Sequence, residues 1–323
     1  MERKTTEPTL MDGYVADLGD PKLMAKLDRL DRAVPWSELA EPIRATYANN
    51  SVQGGRPNVP VVMMLKIVML QKWFGLSDPA MEGMLRDRIS FRRFVGLAMT
   101  EPAVDETTIV KFRNRLREHG LVSVLFDMVV AHLRESNLIV QEGTLVDATI
   151  IETSQGRATE DGLGSTKDKG ASFTKKHGRT YHGYKAHVAT DAKGMITDYI
   201  YDTAKVHDSQ HFDQLVEDEP RGGAAFADSA YMSKKRKAAL EARGVFCGII
   251  QRRVRGQKEL TGKQKEHNRL CASFRAYVEH PFAWMKNVGE LLRTRYRGLA
   301  RNGIDFGLNA IAYDFRRSLS LRA

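Results

Sequence analysis

Three acidic side chains stand out by their settings. Asp147 follows Leu145 and Val146 in the β-branched run Thr144 to Thr153, where an acidic residue is disfavoured inside a strand. Asp228 closes the short run Ala224 to Ala227 and precedes Ser229, Ala230 and Tyr231. Glu279 has Arg275 four residues before it and Lys286 seven after, positions that share a face if the segment is helical. Taken singly, each has an ordinary explanation: an edge-strand Asp, a turn or cap Asp, a solvated ion pair. Taken together they are hard oxygen ligands, of which Mg²⁺ needs only a few from protein. Two such ions about 4 Å apart stabilise the attacking and leaving oxygens of an in-line displacement. The expectation is therefore two Mg²⁺ ions, with Mn²⁺ as a substitute, at Asp147, Asp228 and Glu279.

The charge distribution points to the substrate. The chain of 323 residues carries +10, which favours a polyanionic partner only weakly. Between Ser229 and Gly303, however, there are 18 Lys and Arg against 5 Asp and Glu. That stretch alone exceeds the charge of the whole chain, so the remainder is slightly acidic. A basic segment beside candidate metal-binding carboxylates suits a phosphodiester substrate. With 42% apolar and 28% charged residues, the composition is that of an ordinary globular protein. Cys247 and Cys271 stand alone, without CxxC or zinc spacing. They read as buried thiols in a reducing compartment. Met1-Glu2-Arg3-Lys4 leads into polar residues, so no secretory signal is expected. The longest apolar run, Val59 to Leu70, contains Lys66 and is too short to span a bilayer. A cytoplasmic protein with no membrane partner follows.

Two kinds of element must position the carboxylates. Residues 1–138 read as an all-helical domain. Leu23 to Leu30 and Glu38 to Tyr47 are short helices, and Ser51 to Asn58 is a loop. Asn58 is the expected cap of a helix carrying Met63, Ile67, Leu70 and Phe74 at helical spacing. Gly75 ends it, and Ser77 or Asp78 starts the next. Asp105 caps a third helix running to Gly120, and a fourth runs from Val122 to about Leu133. Lys111, Arg113, Arg115 and Arg117 fall on positions expected to be exposed, which fits either DNA recognition or plain solvation. Residues 139–323 change pattern. Thr144 to Thr153, Tyr184 to Thr190, Met195 to Tyr201, Ala224 to Asp228 and Val245 to Ile250 read as five strands. Asp208 and Ser233 are expected helix caps, and Gly156 to Arg179 reads as a mobile loop. Strands followed by alternating helices and strands make a mixed α/β layout. Pro281 predicts a helix that starts or bends near Glu279. Tyr277, Trp284 and Val288 form that helix's expected packing face.

Several basic residues are candidate phosphate ligands. Lys185 on a strand faces phosphates or is a solvated edge lysine. Lys234 and Lys235 directly follow a candidate metal ligand, and Arg293, Arg295 and Arg297 suit backbone contacts. Gly162 to Lys167 has the wrong glycine spacing for a Walker loop, so no ATP is expected.

These residues fall in an order that resembles the IS5 group of bacterial insertion-sequence transposases. Trp73 to Asp78, Asp87 to Leu97 and Asp105 to Arg113 resemble its N-terminal helical domain. Leu145 to Thr149, His182 to His187, Val206 to Ser209 and Ala227 to Tyr231 resemble its catalytic core. Val278 to Phe282 with Lys286, and Tyr296 to Asn302, complete the series. The resemblance implies an RNase H-like core, a mixed five-stranded sheet flanked by helices. It also implies a DDE triad at Asp147, Asp228 and Glu279. The related signature Y-x2-R-x3-E-x6-K gives Arg275 and Lys286 as DNA ligands, while its Tyr position holds Ala272. About fifty residues separate Asp228 from Glu279, too few for a large inserted domain. The implied function is cleavage at insertion-sequence ends and joining of the 3′-OH to target DNA. Double-stranded DNA, as terminal inverted repeats and target, is the implied partner, held by a homodimer. The residues alone also admit an inactive DNA-binding relative, or an RNase H-like nuclease that cuts without joining.

Overall fold

The computed structural model describes residues 18–47, 57–154, 167–176, 178–253 and 256–322, with isolated positions 13, 156 and 157. Of Arg275 and Ala276 it describes the backbone alone. Most of the Ser51 to Asn58 loop, and Gly162 to Thr166 of the glycine-containing stretch, lie outside the described residues. The chain packs as two compact units, residues 1–129 with 311–323, and residues 130–310.

The first unit is helical. Its helices are α1 (Pro21–Ala33), α2 (Trp36–Arg44), α3 (Val61–Phe74), α4 (Asp78–Asp87), α5 (Ile89–Val95) and α6 (Glu106–Glu118). α7 (Leu121–Glu135) runs from it into the second unit. Almost every residue of α3 is apolar, and its buried positions go all round the helix, as expected of a central helix. Trp73 packs edge-on against Phe94 and donates its indole N–H to the Ala312 carbonyl at 2.8 Å. Gly75 (φ 63°) ends α3, while Ser77 and Asp105 cap α4 and α6. Asn58 caps nothing here; α3 follows Pro60, which has no side-chain cap. α5 has no counterpart in the expected series, because seven residues are too few for periodicity to register.

The second unit is built on a six-stranded sheet, one strand more than expected. β1 (Thr144–Glu152), β2 (Ser172–Lys176), β3 (Arg179–Thr190), β4 (Ile196–Thr203), β5 (Ala224–Ala227) and β6 (Phe246–Ile249) make it up. β3 pairs antiparallel with β1 and β4 along its second half, and with β2 along its first. β1 and β5, then β5 and β6, pair parallel. Without β2 the order is β4-β3-β1-β5-β6, three antiparallel strands continued by two parallel ones. That is an RNase H-like core. The unexpected strand β2 lies inside Gly156 to Arg179. Gly183, in the middle of β3, cannot carry a side chain, since a Cβ there would lie 2.1 Å from the Ile151 carbonyl oxygen.

Alternation along the strands separates two faces. Val146, Ala189, Ala225 and Ala227 face Phe212 and Leu215 of α8 (Phe212–Leu215) and Tyr231, together with Leu240 of α9 (Lys234–Ala242). Leu145 and Phe226 face Cys271 and Val278 of α10 (Gly262–Asn287). α11 (Leu299–Leu321) closes the chain. α10 is one continuous helix with Pro281 inside it, so the expected start near Glu279 does not occur. Its capping box, Thr261 with Gln264, starts it about five turns earlier than Pro281 would place it. Its packing face also differs. Cys271, Val278, Phe282 and Met285 are buried, whereas Tyr277 is 41% exposed. The spacing of 271, 278, 282 and 285 follows the helical period, and that row is the one that meets Leu145 and Phe226.

Candidate active site

The parallel pairing of β1 with β5 fixes two of the three carboxylates. Thr144, Leu145 and Val146 pair with Ala225, Phe226 and Ala227. The next residues on the two strands are Asp147 and Asp228. Asp228 keeps an extended backbone (φ −68°, ψ 161°), so it shares a face with Phe226, as Asp147 does with Leu145. Asp147, just past the stretch of β1 that pairs with β5, and Asp228, just past the end of β5, therefore both project onto the α10 face. Asp147 accepts a hydrogen bond from the Ala148 N–H at 2.8 Å. Asp228 accepts from the Ser229 N–H and begins the turn Ser229–Tyr231.

Arg236 ties that turn down. Its guanidinium donates to the Tyr231 carbonyl, to the Ser209 carbonyl at 2.7 Å, and to both Asp213 oxygens at 2.7 and 3.0 Å. It also lies 4.9 Å from the Phe212 ring centre. Sequence reasoning missed this residue, which hides in the run Lys234 to Lys237. Its lysine neighbours Lys234, Lys235 and Lys237 are exposed, as expected of a basic helix face.

α10 carries the third carboxylate. Glu279 follows buried Val278 and is itself exposed. Lys286, two turns on, is partly buried. Burial holds its ammonium below the usual lysine range; the charge of Lys176 adds to this and that of Asp147 opposes it. Lys286 thus lies within electrostatic reach of Asp147. The Arg275 side chain lies outside the described residues. Among the described residues no three His, Cys, Asp or Glu side chains gather closely enough to hold one ion. The structure brings Asp147 and Asp228 to one edge of the α10 face, and does not bring Glu279 into a common cluster with them. Two carboxylates on one face of neighbouring parallel strands are still the hard-oxygen donors that a divalent cation takes, so the residues fit such an ion.

Other expected ligands divide. Lys185 is neither solvated nor presented to phosphate. It is buried, pairs with Asp208 at 2.7 Å and donates to the Val206 carbonyl at 2.7 Å. The reason is its place on β3, the strand that pairs with three others. Asp208 accordingly serves Lys185, while the His207 ring accepts from the Ser209 N–H at the head of the short 3₁₀ turn Asp208–Gln210. Arg293 and Arg297 are exposed, and Arg295 pairs with Glu290 at 2.5 Å. Their segment is held by backbone. Glu152 N–H donates to the Leu292 carbonyl at 3.4 Å, and Thr294 N–H to the Glu152 carbonyl at 2.8 Å. Asn302 brackets the Tyr296 amide, and buried Asp168 accepts from the Gly298 N–H at 3.1 Å. In the first unit, Arg113 is a bidentate partner of Asp78 at 2.8 and 2.6 Å. Arg115 donates to the Thr46 carbonyl and lies over the Tyr47 ring. Of the four cations on α6, Lys111 is exposed and Arg113 and Arg115 are engaged internally.

Residues 140–315, more than half of the chain, match the family described as Transposase DDE domain. The chain belongs to that family. Residues 20–115 match a second family, described as a transposase domain (DUF772). The chain is thus a DNA transposase, of a family of metal-dependent enzymes that cut DNA and transfer strands. Among solved structures it is similar to a piggyBac transposase synaptic complex with hairpin DNA, at TM-score 0.43 and 12% identity, over 98% of this chain and 78% of that one. It is also similar to a pre-cleavage Mos1 transpososome, at TM-score 0.21 and 8% identity, over 87% and 84%. Likeness at those scores bears on nothing further here. Both aspartates and Glu279 fall inside the stretch matched to the DDE transposase family, whose enzymes use divalent cations. No helix among the described residues of this transposase is long and apolar enough to cross a membrane.

Proposed function

We propose that Asp147, Asp228 and Glu279 are the DDE triad of an IS5-type insertion-sequence transposase, acting on nucleoid DNA in the cytoplasm. The observation that carries this reading is the placement of Asp147 and Asp228 directly after the last paired residues of the parallel strands β1 and β5, on the face that α10, with Glu279, covers. The triad holds divalent cations, two Mg²⁺ with Mn²⁺ as a substitute. When bound, such ions activate water and stabilise the attacking and leaving oxygens of a phosphodiester displacement. The protein's own share is positioning. β1 and β5 fix the spacing of the two aspartates, and Arg236 holds the turn that follows Asp228. Lys286, near Asp147 and partly desolvated, places a cation beside the phosphate. The first chemical step frees a 3′-OH at the element's end. That hydroxyl then displaces a phosphodiester oxygen of target DNA, with one bond formed and one broken and no ATP. Lys234, Lys235, Arg293, Arg295, Arg297 and Arg275 extend the phosphate-binding surface. The helical unit takes the terminal inverted repeats and supports a homodimer on DNA, as joining two ends requires.

The test uses linear DNA carrying this gene with its flanking sequence, plus Mg²⁺ or Mn²⁺. Asp147→Asn, Asp228→Asn and Glu279→Gln are each expected to lower cleavage by at least a thousandfold and leave DNA binding within a fewfold of wild type. Normal cleavage by Asp228→Asn would rule out the assignment. Cleavage without joined products would mark a nuclease, and binding without cleavage an inactive relative.

A further inference from the structure

The β2–β3 hairpin is a feature that the proposed mechanism has not used. Lys176 pairs with Arg179 at its tip, and Gly178 turns with φ 78°. Lys175, Lys176 and Arg179 are all exposed. No Asp or Glu occurs between Asp168 and Asp191, whereas that stretch holds Lys169, Lys175, Lys176, Arg179 and the buried Lys185. The hairpin is therefore a ridge of one sign. It is also placed. Lys176 is close enough to Lys286 to act on its charge, and Asp147 acts on the same ammonium. Arg179 lies 4.9 Å from the Tyr181 ring centre and 3.6 Å from the carboxylate of Glu152, the last residue of β1.

Gathering like charges costs energy unless a polyanion relieves it. The carboxylate paired with the ridge among the described residues does little. The Arg179–Glu152 pair is long, and the arginine side chain is 68% exposed. Such pairs contribute little, so Arg179 is readily shared with another anion. Glu152 also registers the Arg293–Arg297 segment through its backbone. Two basic arms thus meet at the far end of the strand that bears Asp147.

The geometry points to the β2–β3 hairpin as a DNA-backbone arm of the catalytic unit, with Lys175, Lys176 and Arg179 taking phosphates of the strand held at Asp147 and Asp228. This rests on the proposed triad for its position, and on the charged ridge for its chemistry.

The experiment measures binding of the full chain to a random-sequence duplex across a KCl series. Each phosphate contact contributes about 0.9 to the slope of log affinity against log salt. Lys175→Ala with Lys176→Ala is expected to make that slope shallower by about 2. Lys175→Arg with Lys176→Arg is expected to restore it. In cleavage of DNA carrying the gene and its flanks, the alanine pair should raise KM and leave kcat within about twofold of wild type. A wild-type slope in the alanine pair would overturn the hairpin arm while leaving the triad standing. Cleavage retained by Asp147→Asn, whose DNA binding should keep the wild-type slope, would instead sink the triad. A wild-type protein without salt-dependent binding would overturn both.

Discussion

At the residue scale, the same chemical type does different work according to its partners. Lys185 and Lys176 lie on one hairpin system, yet Lys185 is sealed against Asp208 and Lys176 is open. Arg113 and Arg236 read as surface cations, yet each organises a local fold through carboxylates and carbonyls. His187 offers a sharper case. It is wholly buried, and neither ring nitrogen has a hydrogen-bond partner among the described residues. Its ring meets that of His211 edge-on at 4.8 Å. Burial pushes its pKa down to about 4; His211 and Lys185 add to this, while Asp208 and Asp202 oppose it. An unfolded histidine titrates near ~6.5. Between those values the unfolded chain binds a proton that the folded chain refuses, so stability must fall as pH falls through this window. The slope is at most about 1.4 kcal/mol per pH unit. Urea unfolding from pH 8 to 4.5 should show this loss, and His187→Gln should flatten the acid limb. Parallel curves for both proteins would show that other groups govern acid sensitivity.

At the element scale, legibility followed the range of the interactions. Ser77, Asp105 and Ser233 mark three helix starts in the sequence, and those helices begin where these residues place them. Asp147 could be picked out as an acidic residue inside a strand and Asp228 as one that closes a strand; that β1 lies beside β5 could not. β2 was missed because five residues with four polar side chains resemble a loop. The outward turn of Tyr277 was missed because only the packing of α10 on Leu145 and Phe226 decides which helix row is inside. Asp168 shows what the apparent loop contributes. It is buried, and accepts from Tyr184 OH at 2.9 Å, Gly170 N–H at 3.2 Å and Gly298 N–H at 3.1 Å. It therefore secures the segment that carries Arg297. Asp168→Ala should leave buried donors unsatisfied, at about 1–3 kcal/mol each. Amide exchange is expected to accelerate at Gly298 and Tyr296 well beyond the change elsewhere in the sheet. Exchange rising uniformly across the second unit would indicate general loosening instead.

At the scale of the whole molecule, composition spoke to chemistry and was silent on topology. The concentration of positive charge after Ser229 is visible by counting, and it pointed to DNA before any coordinate did. No count shows where the chain ends up. The N-terminal boundary expected near residue 138 assigned all later residues to the catalytic domain, whereas residues 311–323 belong with the first compact unit. Ile311, Ala312, Tyr313 and Phe315 are all buried, Trp73 donates to the Ala312 carbonyl, and Arg29 reaches the Leu319 carbonyl at 3.4 Å. The helical unit is thus completed by residues that follow the whole second unit in the sequence. A chain stopped after Ala310 should lose that unit's cooperative unfolding, because removing even one buried aromatic costs roughly 3–5 kcal/mol, a large share of a domain's stability. Trp73 fluorescence should shift to the red as its environment opens. Phe315→Ala in the full chain should move the same transition in the same direction by a smaller amount. If the shortened chain melted as the intact one does, with Trp73 still shielded, residues 311–323 would be an appendage, and the first unit would close without them.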